Sequence, residues 1–429
     1  MEILVKPSDH GIAADTARPH ITRRRGLAAI AAMAAGGAVL TACSGGKSSS
    51  GSSTGAGASA KASAAEAAAK DTSDANVKIT PGDNTANASI HTAGQVTVTG
   101  GTLVSVVMTT GAGVKVAGTM SSDKTSWKPS AQLDRATKYK IVATAQDAKQ
   151  RASVANASFT TVSASNSFIG YFTPDGGTTV GVGMPVSFNF DKAITNKKAV
   201  QQAITVTSST GQEVVGHWFS STRLDFRPDK YWTAGSTVTV KIALDGVEGA
   251  TGVYGVQSKT VSFKVGRSQI STADDKTKTM TVVRDGKTIR TIPVSLGAPG
   301  HTTYNGIMVI SEQYQKIRMN SLTVGLGKAY DIKDVPHAQR LSTSGTFVHG
   351  NYWRPVSTFG SQDTSHGCVG LHDTKGGNDT SVPGYWFYHQ SLIGDVVIVK
   401  NSPDKTIQPD NGLNGWNLSW ADWQAGSAV

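Results

Sequence analysis

The sequence predicts a mainly β, multidomain chain. Three observations carry that expectation. At 429 residues the chain is longer than one hydrophobic core usually serves, so two to four domains are expected. Charged residues make up only 17% and Gly numbers 47, a loop-rich composition unlike that of a helical cytosolic protein. Short, β-branched, roughly alternating runs recur from residue 77 onward, separated by Gly, Asn, Asp and Ser.

The N-terminus is read first. Arg23-Arg24-Arg25 precede an apolar run from Gly26 to Leu40, then Thr41-Ala42-Cys43. A basic region, a short apolar stretch and a small-residue cleavage site make residues 1–42 a signal peptide. The apolar run is too short to span a bilayer securely. Leu40-Thr41-Ala42-Cys43 resembles a bacterial lipobox, which implies cleavage before Cys43 and lipidation of its sulfur. Export and a lipid anchor on the outer face of the cell membrane, facing the wall, would follow. Thr22 to Leu27 is similar to a twin-arginine signal, so the export route stays open, and a chance Cys after a simple secretory signal is the plain alternative. Residues 43–75 are Ser, Gly, Ala and Lys with little apolar surface to offset ordering entropy, and read as a flexible linker.

Charge and cysteines narrow the partners. Five Lys/Arg and three acids lie in residues 1–42, so their removal takes the formal net charge from +11 to +9. A basic surface suits anionic lipid or an anionic wall polymer. No Lys/Arg-rich patch with interleaved aromatics appears, and no nucleic-acid partner is expected. The two cysteines are Cys43 and Cys368. Cys43 sits in sequence with no packed core, so no disulfide between them is expected and each needs its own explanation.

The body divides in order. Residues 76–164 hold Val77 to Pro81, Val96 to Gly100, Leu103 to Val107, Tyr139 to Ala145 and Ala157 to Val162, the strand-like runs of a small β-sandwich. Residues 165–266 repeat the pattern with Val186 to Phe190, Thr237 to Ile242 and Thr260 to Val265. Here Gly181 to Pro185, Trp218, Arg227-Pro228 and Tyr231-Trp232 resemble a bacterial immunoglobulin-like domain. Both sandwiches read as spacers; Trp218 and Trp232 could stack on sugars, though buried aromatic core is the commoner use. Residues 267–400 open with two alternating runs around Arg284-Asp285-Gly286-Lys287, a strong hairpin signal. Strands at Gly345 to Val348 and Asp395 to Val399 follow, with a helix around Tyr385 to Leu392 and long loops elsewhere. Residues 401–429 carry Trp416, Trp420 and Trp423 and are expected to pack back between the third unit and the second sandwich.

Ser365-His366-Gly367-Cys368-Val369 is the sharpest motif. A thiol attacks only as thiolate, so a catalytic Cys needs a nearby base or positive field. It also needs backbone N–H groups for the oxyanion of acyl transfer, and Gly367 leaves room for them. His349, nineteen positions before Cys368 at the end of a strand, is the candidate base. Ser365 and His366 are read as supporting residues. Cys368, His349, His366 and His372 could in principle bind zinc, but their spacing matches no familiar ribbon or finger and no second thiol is available, so no metal is assigned.

His349-Gly350-Asn351-Tyr352-Trp353 followed by Ser365-His366-Gly367-Cys368 resembles the signature of the L,D-transpeptidase (YkuD-like) family, in its actinobacterial lipid-anchored form with immunoglobulin-like domains. The resemblance implies a peptidoglycan cross-linking acyltransferase that needs no cofactor. Cys368 would attack the third residue of a tetrapeptide stem, release D-Ala and pass the thioester to the side-chain amine of an acceptor stem. His349 would be the general base and acid, with the Gly350 carbonyl orienting it where the family often has Ser. Gly367 and Cys368 would supply the oxyanion hole. Tyr330, Met319 and Trp353 would line the substrate pocket under a lid from about Met319 to Pro336, and carbapenem β-lactams would inhibit. Gly370 stands where the family usually has Asn or Arg, so a polar contact is absent or supplied from elsewhere. Two alternatives stay open: an L,D-carboxypeptidase that uses water as acceptor, and a non-catalytic wall-binding lipoprotein.

Overall fold

The computed structural model describes residues 72–325 and 327–429. The expected signal peptide, Cys43 and nearly all of the linker lie outside the described residues.

The first core is a sandwich of two four-stranded sheets. One runs Asn76–Thr80, Gln95–Thr99, Ser126–Pro129, Gly118–Met120; the other runs Thr85–Ala88, Ala152–Thr161, Lys138–Gln146, Thr102–Thr110. Alternation explains the burial. In Lys138–Gln146, Tyr139, Ile141, Ala143 and Ala145 point inward while Lys138, Lys140 and Val142 face out. The inward set clusters with Val96, Val98 and Trp127 of the facing sheet. The three- and four-residue strands Thr85–Ala88, Gly118–Met120 and Ser126–Pro129 are too short to show alternation in sequence.

The second core lies between sheets ordered Gly170–Thr173, Val186–Phe190, Arg223–Pro228, Val214–Trp218 and Thr179–Val180, Ser258–Val265, Thr237–Ala243, Ile204–Ser208. Phe188, Phe190, Trp218, Phe226, Trp232 and Phe263 fill it. Trp218 donates its Nε1–H to Gln201 Oε1 at 2.9 Å and Trp232 to the Met184 carbonyl at 2.5 Å. Both indoles are core residues with satisfied polar ends, not sugar platforms. Ile90, Val162 and Val256 form a small cluster that joins the two sandwiches.

The third unit is built on nine strands ordered Gly306–Val309, Val396–Lys400, Gln269–Asp274, Thr279–Arg284, Lys287–Ser295, Val369–His372, Phe347–Asn351, Asp331–Arg340 and Glu312–Asn320. Asp285 and Gly286, with φ of 47° and 79°, make the expected tight hairpin turn. The strand read as Gly345 to Val348 is Phe347–Asn351, so His349 stands at its centre rather than its end. Gly345 has φ +98° and belongs to the preceding turn. The helix Pro383–Gln390 starts on proline and buries Phe387 in the core of this unit.

The tail does pack back. Trp416 donates to the Gly183 carbonyl of the second sandwich at 2.7 Å, and Trp423 to Val215 at 2.9 Å. Arg227 lies 4.7, 5.5 and 4.3 Å from the rings of Trp416, Trp420 and Trp423. Asn414 Oδ1 accepts the Val309 N–H and Asn417 Oδ1 accepts the Ile307 N–H, at 3.0 and 2.8 Å. These amides satisfy the outer edge of Gly306–Val309, the terminal strand of the sheet.

Candidate active site

One ladder sets the site. Phe347–Asn351 and Val369–His372 pair in parallel, with Val348 opposite Val369 and His349 opposite Gly370. Cys368 directly precedes the second strand, two positions before Gly370. Side chains alternate along a strand, so His349 and Cys368 fall on the same face of neighbouring strands. They line one cavity of about 260 Å³ with Met319, Tyr330, Trp353, Ser365 and His366. Every candidate side chain of the catalytic unit therefore reaches one place. Gly350 and Gly367 supply backbone beside it.

His349 is 5% exposed, and its Nδ1–H donates to the Gly350 carbonyl at 2.9 Å. That tautomer leaves the lone pair on Nε2. The ring stacks on Trp353, 14° from parallel and 5.7 Å between centroids. Burial pushes the imidazole pKa below its ordinary 6.5, and the Gly350 carbonyl and Asp373 pull it partly back. A neutral imidazole near pH 7 is the form that can accept a proton.

Cys368 is 8% exposed and packs against Ala338 and Phe347, with Tyr314, Ile317 and Met319 alongside. Burial pushes its thiol up to about 11, against the opposing pull of the Phe347 backbone and Arg340. The Sγ–H points to the Gly345 carbonyl at 3.6 Å. The resting group is thus a thiol whose hydrogen bond runs to the Gly345 carbonyl. Gly367 has φ +107°, a conformation that favours glycine. Its N–H donates to Ser365 Oγ at 3.2 Å, while that hydroxyl donates to the Cys368 carbonyl at 2.7 Å. Ser365 therefore braces the loop that carries Cys368.

The expected lid is a β-hairpin arm and not a long loop. Glu312–Asn320 and Asp331–Arg340 pair antiparallel, joined through a 3-10 turn at Ser321–Val324 that ends on Gly325. Arg318 grips Asp331 with two hydrogen bonds of 2.8 and 2.7 Å on the exposed side. Met319, Ala329, Tyr330 and Ile332 cover the cavity. Burial raises the Tyr330 hydroxyl to about 12, with Cys368 adding to the rise, so Tyr330 enters the site as a neutral donor.

Several residues escaped the sequence reading. Asn351 and Arg354 line the cavity, and the Asn351 side-chain oxygen accepts from the N–H groups of Trp353 and Arg354 at 3.2 Å. Beside Gly370, the Ser295 carbonyl and Asn351 Nδ2 lie 3.3 and 3.7 Å from where a Cβ would sit. His301 lies 4.8 Å from the His366 ring, and no local pattern announced it. Among the described residues no carboxylate lines the cavity, whereas Arg354 does, so its rim favours anions; burial, His301 and Arg354 push the His366 imidazole below its ordinary pKa. His372 faces Phe359 instead of the cavity, and no group of three potential metal ligands occurs among the described residues.

The chain is similar to known proteins. The family model for the L,D-transpeptidase catalytic domain matches residues 268–399, and a bacterial Ig domain model matches residues 85–248. L,D-transpeptidase 2 of Mycobacterium tuberculosis is 33% identical over 337 residues, covering 78% of this chain and 80% of that protein. L,D-transpeptidase 5 of the same organism is 30% identical over 333 residues, covering 76% and 70%. A crystal structure of L,D-transpeptidase 3 from Mycobacterium tuberculosis with a faropenem-derived adduct is 26% identical, with TM-score 0.44, covering 54% and 97%. The family match and these relatives imply an enzyme of the acyltransferase type. The chain belongs to the L,D-transpeptidase family.

Proposed function

We propose that the chain is a peptidoglycan L,D-transpeptidase that joins the third residues of two stem peptides through a thioester on Cys368. The observation that carries the reading is the placement of His349 and Cys368 on one face of adjacent strands, lining one cavity. Cys368 turns from the Gly345 carbonyl and gives its proton to His349 Nε2 as sulfur attacks the third-residue carbonyl of a donor tetrapeptide. The oxyanion that forms is met by the N–H groups of Gly367 and Cys368. Gly367 exchanges its bond to Ser365 for this one. The imidazolium returns its proton to the leaving amine, the carbon–nitrogen bond breaks and D-Ala departs. The side-chain amine of an acceptor stem then attacks the thioester, His349 takes the amine proton, and sulfur leaves as thiol. The cleaved peptide bond supplies the energy. Tyr330, Met319 and Trp353 hold the donor, with the Arg354 guanidinium favouring its carboxylates.

Incubation with a carbapenem tests the nucleophile: the protein should gain the drug's mass, and Cys368→Ala should not. Stem peptides then test the acceptor. A cross-linked dimer supports the transpeptidase, whereas D-Ala loss without dimer makes the enzyme a carboxypeptidase. Export and lipid anchoring through Cys43 belong to the same reading, resting on the lipobox-like Leu40 to Cys43. Cys43→Ala should release the protein from the membrane fraction, and unchanged membrane retention would exclude that anchor.

A further inference from the structure

Position 350 has no side chain, and none would fit. A Cβ there would lie 2.2 Å from Oδ2 of Asp373 and 2.7 Å from its Cγ. Gly384, in the helix Pro383–Gln390, meets the same oxygen at the same 2.2 Å. Two glycines from separate elements thus clear the space that the Asp373 carboxylate fills. Asp373 is 2% exposed. His337 donates its Nδ1–H to Asp373 Oδ2 at 2.7 Å, and the Thr374 backbone N–H donates to Oδ1 at 2.7 Å.

His337 holds that carboxylate at a cost to stability. The residue is 1% exposed and adopts φ 52°, which a side chain with Cβ disfavours. Its Nε2 is buried without a hydrogen-bond partner. The rings of Tyr385, Tyr388 and His389 close around it at 5.1 to 5.7 Å. Neither residue enters the cavity, so substrate contact does not account for the pair. The nearby group that matters chemically is the Gly350 peptide, whose carbonyl accepts the His349 Nδ1–H.

We propose that Asp373, held by His337, is a positioning residue for the base His349. It packs on the Gly350 peptide and keeps that carbonyl aimed at the imidazole. Its negative charge favours the imidazolium that forms when Cys368 gives up its proton. The Trp353 ring and the Gly350 carbonyl contact His349, and Cys368, Tyr330, Arg354 and His366 share its cavity; among the described residues Asp373 is the carboxylate whose charge acts on the ring. The inference rests on His349 being the base.

The test is carbapenem acylation of the full chain, followed by intact mass from pH 5 to 9. Asp373→Asn keeps the shape and removes the charge. Its acylation rate should fall about tenfold, and its acid limb should move to lower pH, the direction expected when a negative charge beside an imidazole is lost. Gly350→Ala should lose more than that, and adding Asp373→Ala to it should recover part of the loss. Where Gly350→Ala fails to fold, the Asp373→Asn profile decides alone. An Asp373→Asn protein with wild-type rate and limb per folded molecule overturns the proposal, whatever its Tm. His349→Ala separates the two readings. If it acylates normally, the base assignment itself falls; if it is inert while Asp373→Asn is normal, only the role of Asp373 falls.

Discussion

Alkylation of Cys368 against pH measures the step on which the chemistry turns. Burial raises the thiol to about 11 from an ordinary 9.0, so at pH 7 only about one molecule in 10⁴ holds a thiolate. His349, pushed below 6.5, is a weak base for that thiol. The gap is at least about 4.5 in pKa, which makes complete proton transfer uphill by about 6 kcal/mol. That fits within a barrier of about 17 kcal/mol, which corresponds to roughly one turnover per second. Transfer concerted with attack avoids populating the ion pair. Iodoacetamide consumes only thiolate, so its rate with the wild-type protein should rise tenfold per pH unit from 7 to 10 without a plateau. Carbapenem acylation should instead level off above the His349 pKa, because the imidazole then accepts the proton during attack. An alkylation plateau reached by pH 8 would mean that a thiolate–imidazolium pair is the resting state, and would refute this ordering of proton and bond.

Further expectations concern stability and the oxyanion site. Because the folded thiol pKa exceeds the ordinary one, its burial stabilises the protein below pH 9, and that contribution is lost between about pH 9 and 11. Denaturant melts of the wild type should therefore lose about 2–3 kcal/mol relative to Cys368→Ser over that window. Gly367→Ala forces a side chain into φ +107°, so acylation should fall at least about a hundredfold, read by intact mass against time. Asn414→Ala strips partners from the Val309 N–H and the Leu341 carbonyl and should cost about 2–4 kcal/mol in denaturant melts. Trp423→Ala empties a fully buried site beside His217 and Phe219 and should cost about 3–5 kcal/mol by the same measure.

Where physics is local, the sequence read well. Tyr139 and Ile141 alternate with Lys138, Lys140 and Val142, and the burial follows. Asp285-Gly286 can adopt positive φ twice in succession, and the hairpin turns there. Where pairing is distant, it read poorly. Glu312–Asn320 carries Glu, Gln, Lys and Arg and shows no clean alternation, yet becomes a strand because Asp331–Arg340 supplies its hydrogen bonds. Phe347–Asn351 ends in His, Gly and Asn, residues with little strand preference. Its pairing with Val369–His372 makes it a buried strand and moves His349 to the centre.

By itself the chain named the candidate reacting groups: a Cys after Ser-His-Gly, with a His upstream. Those identities are covalent facts and survive any folding. Only the tertiary structure decided what surrounds them. The depth that raises the Cys368 thiol, the Gly345 carbonyl that holds it, and Asn351 beside Gly370 all come from contacts across the fold. So does the His337–Asp373 pair behind the Gly350 peptide. Solvation and charge act through space, and a linear order of residues does not contain those distances.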